Sequence, residues 1–425
     1  MRLLVLGINY WPEETGIAVF TTGRCEYLAA QGHEVMMVTG FPYYPQWRVH
    51  DGYRGRLFAR ETRHGVTILR CYLYVPRRVT TLSRVLHEAS FLAFSLIRAL
   101  GARQPELLLV VSPPLGLAIS AVLLSRRWGI PYVFHVADLQ PDAALELGML
   151  PEGRLLKGLY RLESQAYRQA ALVSTLTEAM RQRILTKGVP ADKVERSSDW
   201  ADPTLFAVPP VGGGAAFRRA FGLEDRFLVV HIGNMGVKQG LEVVLAAAER
   251  SSGHPALTFL LVGDGAMRQT LEACATALRF SNLQFLPLQR QDMFRELLAA
   301  ADLCLVTQQR TVADIVFPSK VITLLAAGRP VVASVNSRSE VARVITEAGG
   351  GVVVRPEEPE ALLEALLVLS QDTAGRHAMG ARGRAYARQH WDRGQILPTF
   401  ETQLLSIVEQ GQLLRKGLGH SSGKA

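Results

Sequence analysis

Pro318-Ser319-Lys320-Val321-Ile322-Thr323-Leu324-Leu325-Ala326-Ala327-Gly328-Arg329-Pro330-Val331-Val332-Ala333-Ser334 reads as a helix start, a short helix, a glycine stop and an apolar strand. Ser319 is a helix-capping type, and the free amides of a first turn beside the Lys320 ammonium offer positive charge to a phosphate. Gly328 and Pro330 then end the helix and launch a buried strand. An ordinary capped helix with a solvated lysine fits the same letters.

About ninety residues earlier, Phe227-Leu228-Val229-Val230-His231-Ile232-Gly233-Asn234-Met235-Gly236-Val237-Lys238-Gln239-Gly240 repeats the order strand, glycine turn, lysine, helix. Three glycines in eight residues let the backbone approach a bulky anion, with Lys238 expected at the N-terminus of the following helix. The loop is neither a dinucleotide fingerprint nor a Walker loop, and glycine turns of this kind also serve packing. Two such loops in one half of the chain point to a ligand carrying a diphosphate.

Outward from these loops, strands and helices alternate along all 425 residues, the pattern of parallel sheets with helices on both faces. Expected strands in the first half are Arg2 to Ile8, Glu34 to Thr39, Val66 to Leu73, Leu107 to Ser112, Tyr132 to Val136 and Ala171 to Thr175. In the second they are Leu228 to Ile232, Thr258 to Val262, Leu283 to Leu286, Leu303 to Thr307, Pro330 to Ser334 and Gly351 to Val354. The fold class is therefore α/β, with two Rossmann-like doubly wound domains. Breakers between Asp199 and Gly214 set the boundaries: a first domain over 1–200, a linker over 201–214, a second domain over 215–395, and a C-terminal helix and polar tail over 396–425.

With 48% hydrophobic residues, the chain is long enough for two cores and is not disordered. Its formal charge of +9 suits an anionic substrate, lipid or nucleic acid, but no basic stripe with interleaved aromatics and no helix-turn-helix pattern appears, so nucleic acid is not expected as a partner. Cys25, Cys71, Cys274 and Cys304 stand singly, which argues against zinc and a disulfide framework and fits a reducing compartment. No secretory signal is visible, and Ala89 to Leu100 and Leu115 to Leu124 are too short for a spanning helix of about 20 residues. Arg77 to Arg103 reads as a basic amphipathic helix, with Leu82, Val85, Leu86, Ala89, Phe91, Leu92, Leu96 and Leu100 among Arg84, His87 and Arg98. Such a helix either lies on anionic lipid or packs on its own domain with a solvated basic side.

Several stretches, in this order and spacing, carry a family resemblance. They are Gly7-Ile8-Asn9-Tyr10-Trp11-Pro12-Glu13-Glu14-Thr15-Gly16-Ile17, Phe41-Pro42-Tyr43-Tyr44-Pro45, His135-Val136-Ala137-Asp138-Leu139-Gln140-Pro141-Asp142, the Gly233–Gly240 loop, Leu261-Val262-Gly263-Asp264-Gly265, and Pro318 through Val332. Together they resemble the GT-B-fold glycosyltransferases of family 4, and within them the colanic-acid-type exopolysaccharide enzymes. The likeness runs nearly end to end.

The resemblance implies two Rossmann-like domains facing across a cleft. It implies transfer of a sugar from a UDP- or GDP-sugar, which acts as co-substrate with no further cofactor and no metal, with retention of anomeric configuration. The acceptor is a saccharide, often linked to polyprenyl diphosphate, so the expected location is cytoplasmic and peripheral on the inner face of the membrane. Lys238 and Lys320 would stabilise the diphosphate, and His135 and Asp138 would act at the transferred sugar and the acceptor. Gly233, Asn234, Gly236, Gln239, Gly263, Asp264, Gly265, Asp314, Pro318, Ser319 and Thr323 would bind the donor, while Glu14, Thr15, Gly16, Tyr43 and Tyr44 would lie on the acceptor side.

Three departures from the family pattern stand out. Asn234 replaces the usual arginine, and the usual lysine position falls on Gln239, one residue after Lys238. The family's two glutamates fall on Ile315 and Thr323, neither ionisable, with Asp314 beside the first as a replacement or as a solvated surface acid. For His135 and Asp138 a core histidine and a helix-capping aspartate are the alternative, for Asp264 a plain turn residue, and for the Phe41–Trp47 aromatics a packed loop. A nucleotide-sugar epimerase shares the architecture but needs acid and base carboxylates at the donor, for which the chain offers few candidates.

Overall fold

A computed structural model describes residues 1–421 except 15, 79, 147, 149, 210–211 and 313–316, and only the backbone of 414–421. Thr15, Asp314 and Ile315 lie outside the described residues. The chain forms two compact units, one of Met1–Ser198 with Gly394–Ala425 and one of Asp199–Arg393.

The first unit is built on eight strands: β1 (Arg2–Leu6), β2 (Glu34–Gly40), β3 (Phe58–Arg63), β4 (Val66–Cys71), β5 (Leu107–Ser112), β6 (Tyr132–Val136), β7 (Leu172–Thr175) and β8 (Val194–Arg196). Their order across the sheet is β3-β4-β2-β1-β5-β6-β7-β8. Pairing is parallel except for β3 with β4, where Phe58 faces Cys71 and Arg63 faces Val66. Strand β1 sits between β2 and β5, with Leu3 in register with Val35 and with Leu107. Its fully buried Leu3, Leu4, Val5 and Leu6 read as the continuous apolar run of a strand covered on both faces, each side chain contributing roughly 1.5–3 kcal/mol of burial.

Alternate residues of these strands feed two cores. Leu4, Leu6, Leu108, Val110 and Phe134 pack against the helices Thr81–Leu100, Leu117–Trp128 and Arg154–Gln169. Leu3, Val5, Leu107 and Leu109 pack against the helix Ile17–Ala30 and against Phe400, Leu404 and Val408 of the long helix Arg393–Ser421. That C-terminal helix therefore completes the core of the first unit.

The second unit carries β9 (Phe227–Ile232), β10 (Leu257–Val262), β11 (Leu283–Leu286), β12 (Leu303–Thr307), β13 (Val331–Ser334) and β14 (Gly351–Val354), all parallel in the order β11-β10-β9-β12-β13-β14. The order reverses direction between β9 and β12, which makes their carboxyl ends the switch point where open sheets bind ligands. His231 of β9 is paired with Leu261 on one side and Leu305 on the other, so it lies at that place. Arg329, fully buried, donates to the carbonyls of Leu298 and Ala299 at 3.1 and 3.3 Å and to that of Pro209. This guanidinium ties the breaker-rich segment before Pro209 to the second unit.

Candidate active site

In the second unit, the turns after β9 and β10 are knitted together by backbone. The Gly233 amide donates to the Val262 carbonyl and the Met235 amide to the Asp264 carbonyl, both at 2.8 Å. A β-carbon on Gly263, whose φ is +150°, would stand 1.8 Å from the Gly233 oxygen, and one on Gly265 would stand 2.6 Å from the Asn234 side-chain oxygen. Only glycine permits this approach. Asp264 itself is exposed, and its carboxylate accepts from the Gly265 amide at 2.8 Å, the plain turn role.

Gln239 folds back so that its Oε1 accepts from the Gly236 amide at 3.1 Å, closing a single 3₁₀ turn over Val237–Gln239. Lys238 lies inside that turn. Contrary to the sequence expectation it does not start the next helix, because Gly240, at φ +55°, and Leu241 intervene before Glu242–Arg250. Its carbonyl accepts from the Gln309 amide at 2.9 Å, and its half-buried side chain has no hydrogen-bond or ion-pair partner among the described residues.

The helix Lys320–Ala326 starts differently from the expected capped turn. Ser319 has helical angles, φ −56° and ψ −20°, and its side chain caps nothing, since a capping side chain needs an extended backbone at its own residue. The Val321 amide is taken by the Pro318 carbonyl at 3.0 Å, whereas the Ser319 and Lys320 amides find no acceptor among the described residues. Thr323 turns its hydroxyl back to the Ser319 carbonyl at 3.4 Å. Gly328, at φ +65°, ends the helix as the sequence predicts.

The Lys320 side chain runs under the first glycine turn. Its Nζ lies 3.5 Å from His231 Nε2, and a β-carbon on Gly233 would sit 3.8 Å from it. Burial pushes its pKa down from 10.5 to about 7, and no carboxylate among the described residues offsets that. His231 is fully buried, and burial first and Lys320 second hold it well below its ordinary value, so it is neutral at pH 7. At the carboxyl end of β12, the buried Thr307 hydroxyl and, one residue beyond the strand, Gln308 Oε1 lack partners among the described residues. The structure thus brings Lys320, His231 and Gly233 together. Lys238 is anchored through its backbone to Gln309, and no contact among the described residues joins the two ammonium groups.

In the first unit, His135 is 1% exposed on β6, with Nδ1 2.9 Å from the Ser174 hydroxyl of the paired strand and Nε2 buried without a partner among the described residues. Burial, with the Arg24 charge second, drives its pKa well below 6.5. Asp138 is half-buried in the following loop, where its carbonyl accepts from the Gln140 amide at 3.0 Å. Asp142 of the same motif is buried and structural, bonded to Arg183 at 2.9 Å and to Lys187, which also reaches Glu163.

Glu13, rather than its neighbour Glu14, is the organised carboxylate of the β1 loop. Its Oε1 accepts from the Tyr43 and Tyr44 amides at 2.8 Å each, and its Oε2 accepts from Asn9 Nδ2 at 2.8 Å. Glu14 is exposed, and Gly16, at φ +60°, precedes the helix Ile17–Ala30. Tyr43, expected on the acceptor side, is instead core: it is 4% exposed, with the Trp47 and His87 rings edge-on to it at 5.5 and 4.7 Å. Tyr44 remains half-buried at the surface.

Thr307 and Gln308 carry no functional signal in the sequence, and His231 and Glu13, though inside the quoted stretches, were given no role of their own. A histidine inside the otherwise apolar run Phe227–Ile232 was the one available cue for His231. Among the described residues no three His, Cys, Asp or Glu side chains cluster as a metal ion would require.

Residues 15–200 match the family described as Glycosyl transferase 4-like domain, and residues 226–372 match Glycosyl transferases group 1. The chain is 36% identical over 413 residues to the putative colanic acid biosynthesis glycosyl transferase WcaI of Escherichia coli K12, covering 94% of this chain and 98% of that one. It is 27% identical to the probable glycosyltransferase WbjE of Pseudomonas aeruginosa over 73% of this chain and 77% of that one. Among solved structures, Anabaena HepE in complex with UDP superposes with a TM-score of 0.71 at 18% identity, covering 96% of this chain and all of the other. WaaG, a glycosyltransferase involved in lipopolysaccharide biosynthesis, gives 0.64 at 19%, covering 95% and 99%. With both family domains in sequence order and a relative matched almost end to end, the chain belongs to the GT-B-fold glycosyltransferases.

Proposed function

We propose that this glycosyltransferase moves a sugar from a UDP- or GDP-sugar to a saccharide acceptor in exopolysaccharide assembly, with retention and without a metal. On this reading the acceptor is carried on a polyprenyl diphosphate at the cytoplasmic face of the membrane. The observation that carries the proposal is Lys320: a half-buried lysine whose ammonium is desolvated beneath a glycine turn with no carboxylate beside it among the described residues. A buried cation without a counter-charge is costly, and a diphosphate supplies that charge.

The chemistry asks little else of the protein. The bond from the anomeric carbon to the diphosphate oxygen breaks while the acceptor oxygen bonds to the same face of that carbon, and the acceptor proton passes to the departing phosphate oxygen. Negative charge grows on the diphosphate as the bond stretches, so Lys320, assisted by Lys238 and the amides of Ser319 and Lys320, stabilises the transition state more than the ground state. Neutral His231 accepts from the Lys320 ammonium and aims it. The Gly233–Gln239 turn, with Asn234, Gly236, Gly263 and Gly265, lines the diphosphate, while Pro318, Thr323 and Asp264 lie toward the nucleoside. Asp314 stays a candidate for contact with the donor sugar. In the first unit, His135 and Asp138 act at the transferred sugar, and Glu14, Thr15, Gly16 and Tyr44 contact the acceptor. An epimerase would need an acid and a base at the donor, and Asp264, exposed and occupied by its own turn, supplies neither.

The test is thermal stabilisation by UDP, GDP and their sugars, followed by assay of nucleoside diphosphate release with saccharide acceptors. Stabilisation by one nucleotide, lost in Lys320→Ala with the circular dichroism unchanged, is the expected result. No stabilisation by any member, or unaltered turnover in Lys320→Ala, overturns it.

A further inference from the structure

The helix Thr373–His390 packs along the short helix Lys320–Ala326 and meets it at both ends. At the carboxyl end the contact is backbone on backbone. A β-carbon on Gly380 would stand 2.3 Å from the Gly328 carbonyl oxygen, and one on Gly383 would stand 2.9 Å from Leu325 Cδ2. The Ala327 carbonyl accepts from the Arg384 guanidinium at 2.8 Å and from that of Arg329 at 3.1 Å. That end has no play, because glycines leave no side chain between the two helices that could yield.

The amino end is met by a ring instead. Trp391 follows the last turn of Thr373–His390, its amide donating to the Ala387 carbonyl at 2.9 Å. Its indole lies 6.3 Å from the Phe317 ring between centroids, tilted by 46°, and Phe317 directly precedes Pro318-Ser319-Lys320. The indole is 6% exposed and is backed edge-on by Tyr386 at 5.5 Å, whereas Phe317 is half-buried. The Trp391 carbonyl accepts from the Ala201 amide at 2.9 Å, so the segments by which the chain enters and leaves the second unit are joined at this residue. Trp391 therefore has a fixed seat, and Phe317 leans on it.

We infer that Trp391 is a positioning residue for the donor site, acting through Phe317. Lys320 is the first residue of its helix, and its ammonium stands beneath the Gly233 turn, 3.5 Å from His231 Nε2. With the carboxyl end pinned at Gly328, a shift of Phe317 pivots the helix about that end and moves its first residue most. The seven residues of the helix make an arm of about 10 Å, and a displacement of ~1 Å at a group that stabilises charge costs up to ~100-fold in rate. A tilted aromatic pair at this separation is an attractive contact, and it hands the position of the indole to the turn that carries Lys320. Trp391 does this without touching the ligand. The inference rests on the reading of Lys320 as the group that meets the diphosphate.

The experiment is a double-mutant cycle on UDP and GDP affinity, measured by calorimetry on the full chain carrying Trp391→Ala, Phe317→Ala, Lys320→Ala and their pairwise combinations. Trp391→Ala and Phe317→Ala should each weaken binding of the preferred nucleotide ~10-fold, and neither should weaken it further in the Lys320→Ala background, because a residue that acts only through another is fully coupled to it. A role confined to stability would leave the losses additive. Trp391→Phe keeps a ring toward Phe317 and should restore affinity to within ~3-fold of wild type. Where Trp391→Ala fails to fold by circular dichroism, Phe317→Ala, at its half-buried position, carries the same cycle. Wild-type affinity in folded Phe317→Ala, or a Trp391→Phe as weak as Trp391→Ala, overturns the inference. Affinity lost in Lys320→Ala but lost additively with the ring variants sinks this inference alone, and wild-type affinity in Lys320→Ala sinks the donor reading beneath it.

Discussion

Glu13, buried, and Lys320, half-buried with a desolvated ammonium, are ionisable groups beyond the carboxyl edge of a parallel sheet, one in each unit, and they differ in what surrounds them. Burial raises the pKa of Glu13, but the Tyr43 and Tyr44 amides, Asn9 and the Arg70 charge all oppose that shift, so the carboxylate is spent inside the fold as a clamp on the loop. Burial lowers Lys320 to about 7 with nothing among the described residues opposing it. A satisfied buried charge is structure; an unsatisfied one is a socket. The comparison separates the residue that shapes a loop from the residue that awaits a ligand.

The largest effect that sharpens this contrast is Lys320→Met. Turnover should fall by two orders of magnitude or more, about 3 kcal/mol in the barrier, while the fold gains stability. The folded pKa near 7 lies below the unfolded 10.5, so between those values the unfolded chain holds the extra proton and wild-type stability rises with pH. The variant's advantage is therefore greatest below pH 7, about 1–3 kcal/mol, and fades as pH rises through 7 toward 10.5. Urea unfolding at pH 6, 8 and 10 measures it, and a variant less stable than wild type at pH 6 would break the contrast.

Glu13→Ala is the opposite case. It strips the Tyr43 and Tyr44 amides of their acceptor and should cost about 2–3 kcal/mol of stability, with nucleotide binding intact. Glu13→Gln keeps an acceptor and should stay within about 1 kcal/mol of wild type. The folded pKa of Glu13 is raised, so its contribution is fully present below the unfolded value and is lost as pH rises through the folded one; the Gln variant flattens that dependence. Loss of nucleotide affinity in Glu13→Ala at full fold would contradict the assignment of the clamp as structural.

Smaller still, Lys238→Ala should lower turnover ~10-fold, about 1.4 kcal/mol, because a half-exposed ammonium in a solvent-facing turn is screened. Asp264→Asn keeps the turn's acceptor and should change both activity and stability by less than about 0.5 kcal/mol. Steady-state kinetics on the two variants orders them, and an Asp264 effect larger than the Lys238 effect would reverse the roles.

The sheets were legible because parallel strands covered on both faces are continuous apolar runs, such as Leu107–Ser112 and Leu303–Thr307. Phe58–Arg63 escaped because its partly exposed, charge-rich sequence at the sheet edge offers no such run, and Val194–Arg196 is only three residues long. In the candidate site, Lys320 was legible from Pro318-Ser319-Lys320, but the conformation of Ser319 and the three residues that separate Lys238 from its helix were not, since both follow from how loops pack. Glu14 was chosen over Glu13 for the same reason: which of two adjacent glutamates turns inward is decided by Tyr43 and Tyr44, 30 residues later. The helix Thr81–Leu100 was legible as amphipathic, but which apolar residues face inward depended on the sheet beneath it.

The most direct measurement is the proton uptake that accompanies binding of UDP or GDP at pH 8, obtained by calorimetry in two buffers of different ionisation enthalpy. With Lys320 mostly neutral in the free enzyme and charged against a diphosphate, wild type should take up close to one proton per nucleotide and Lys320→Met none, with much weaker binding. Equal affinity and equal proton uptake in the two proteins would contradict the placement of the diphosphate on Lys320.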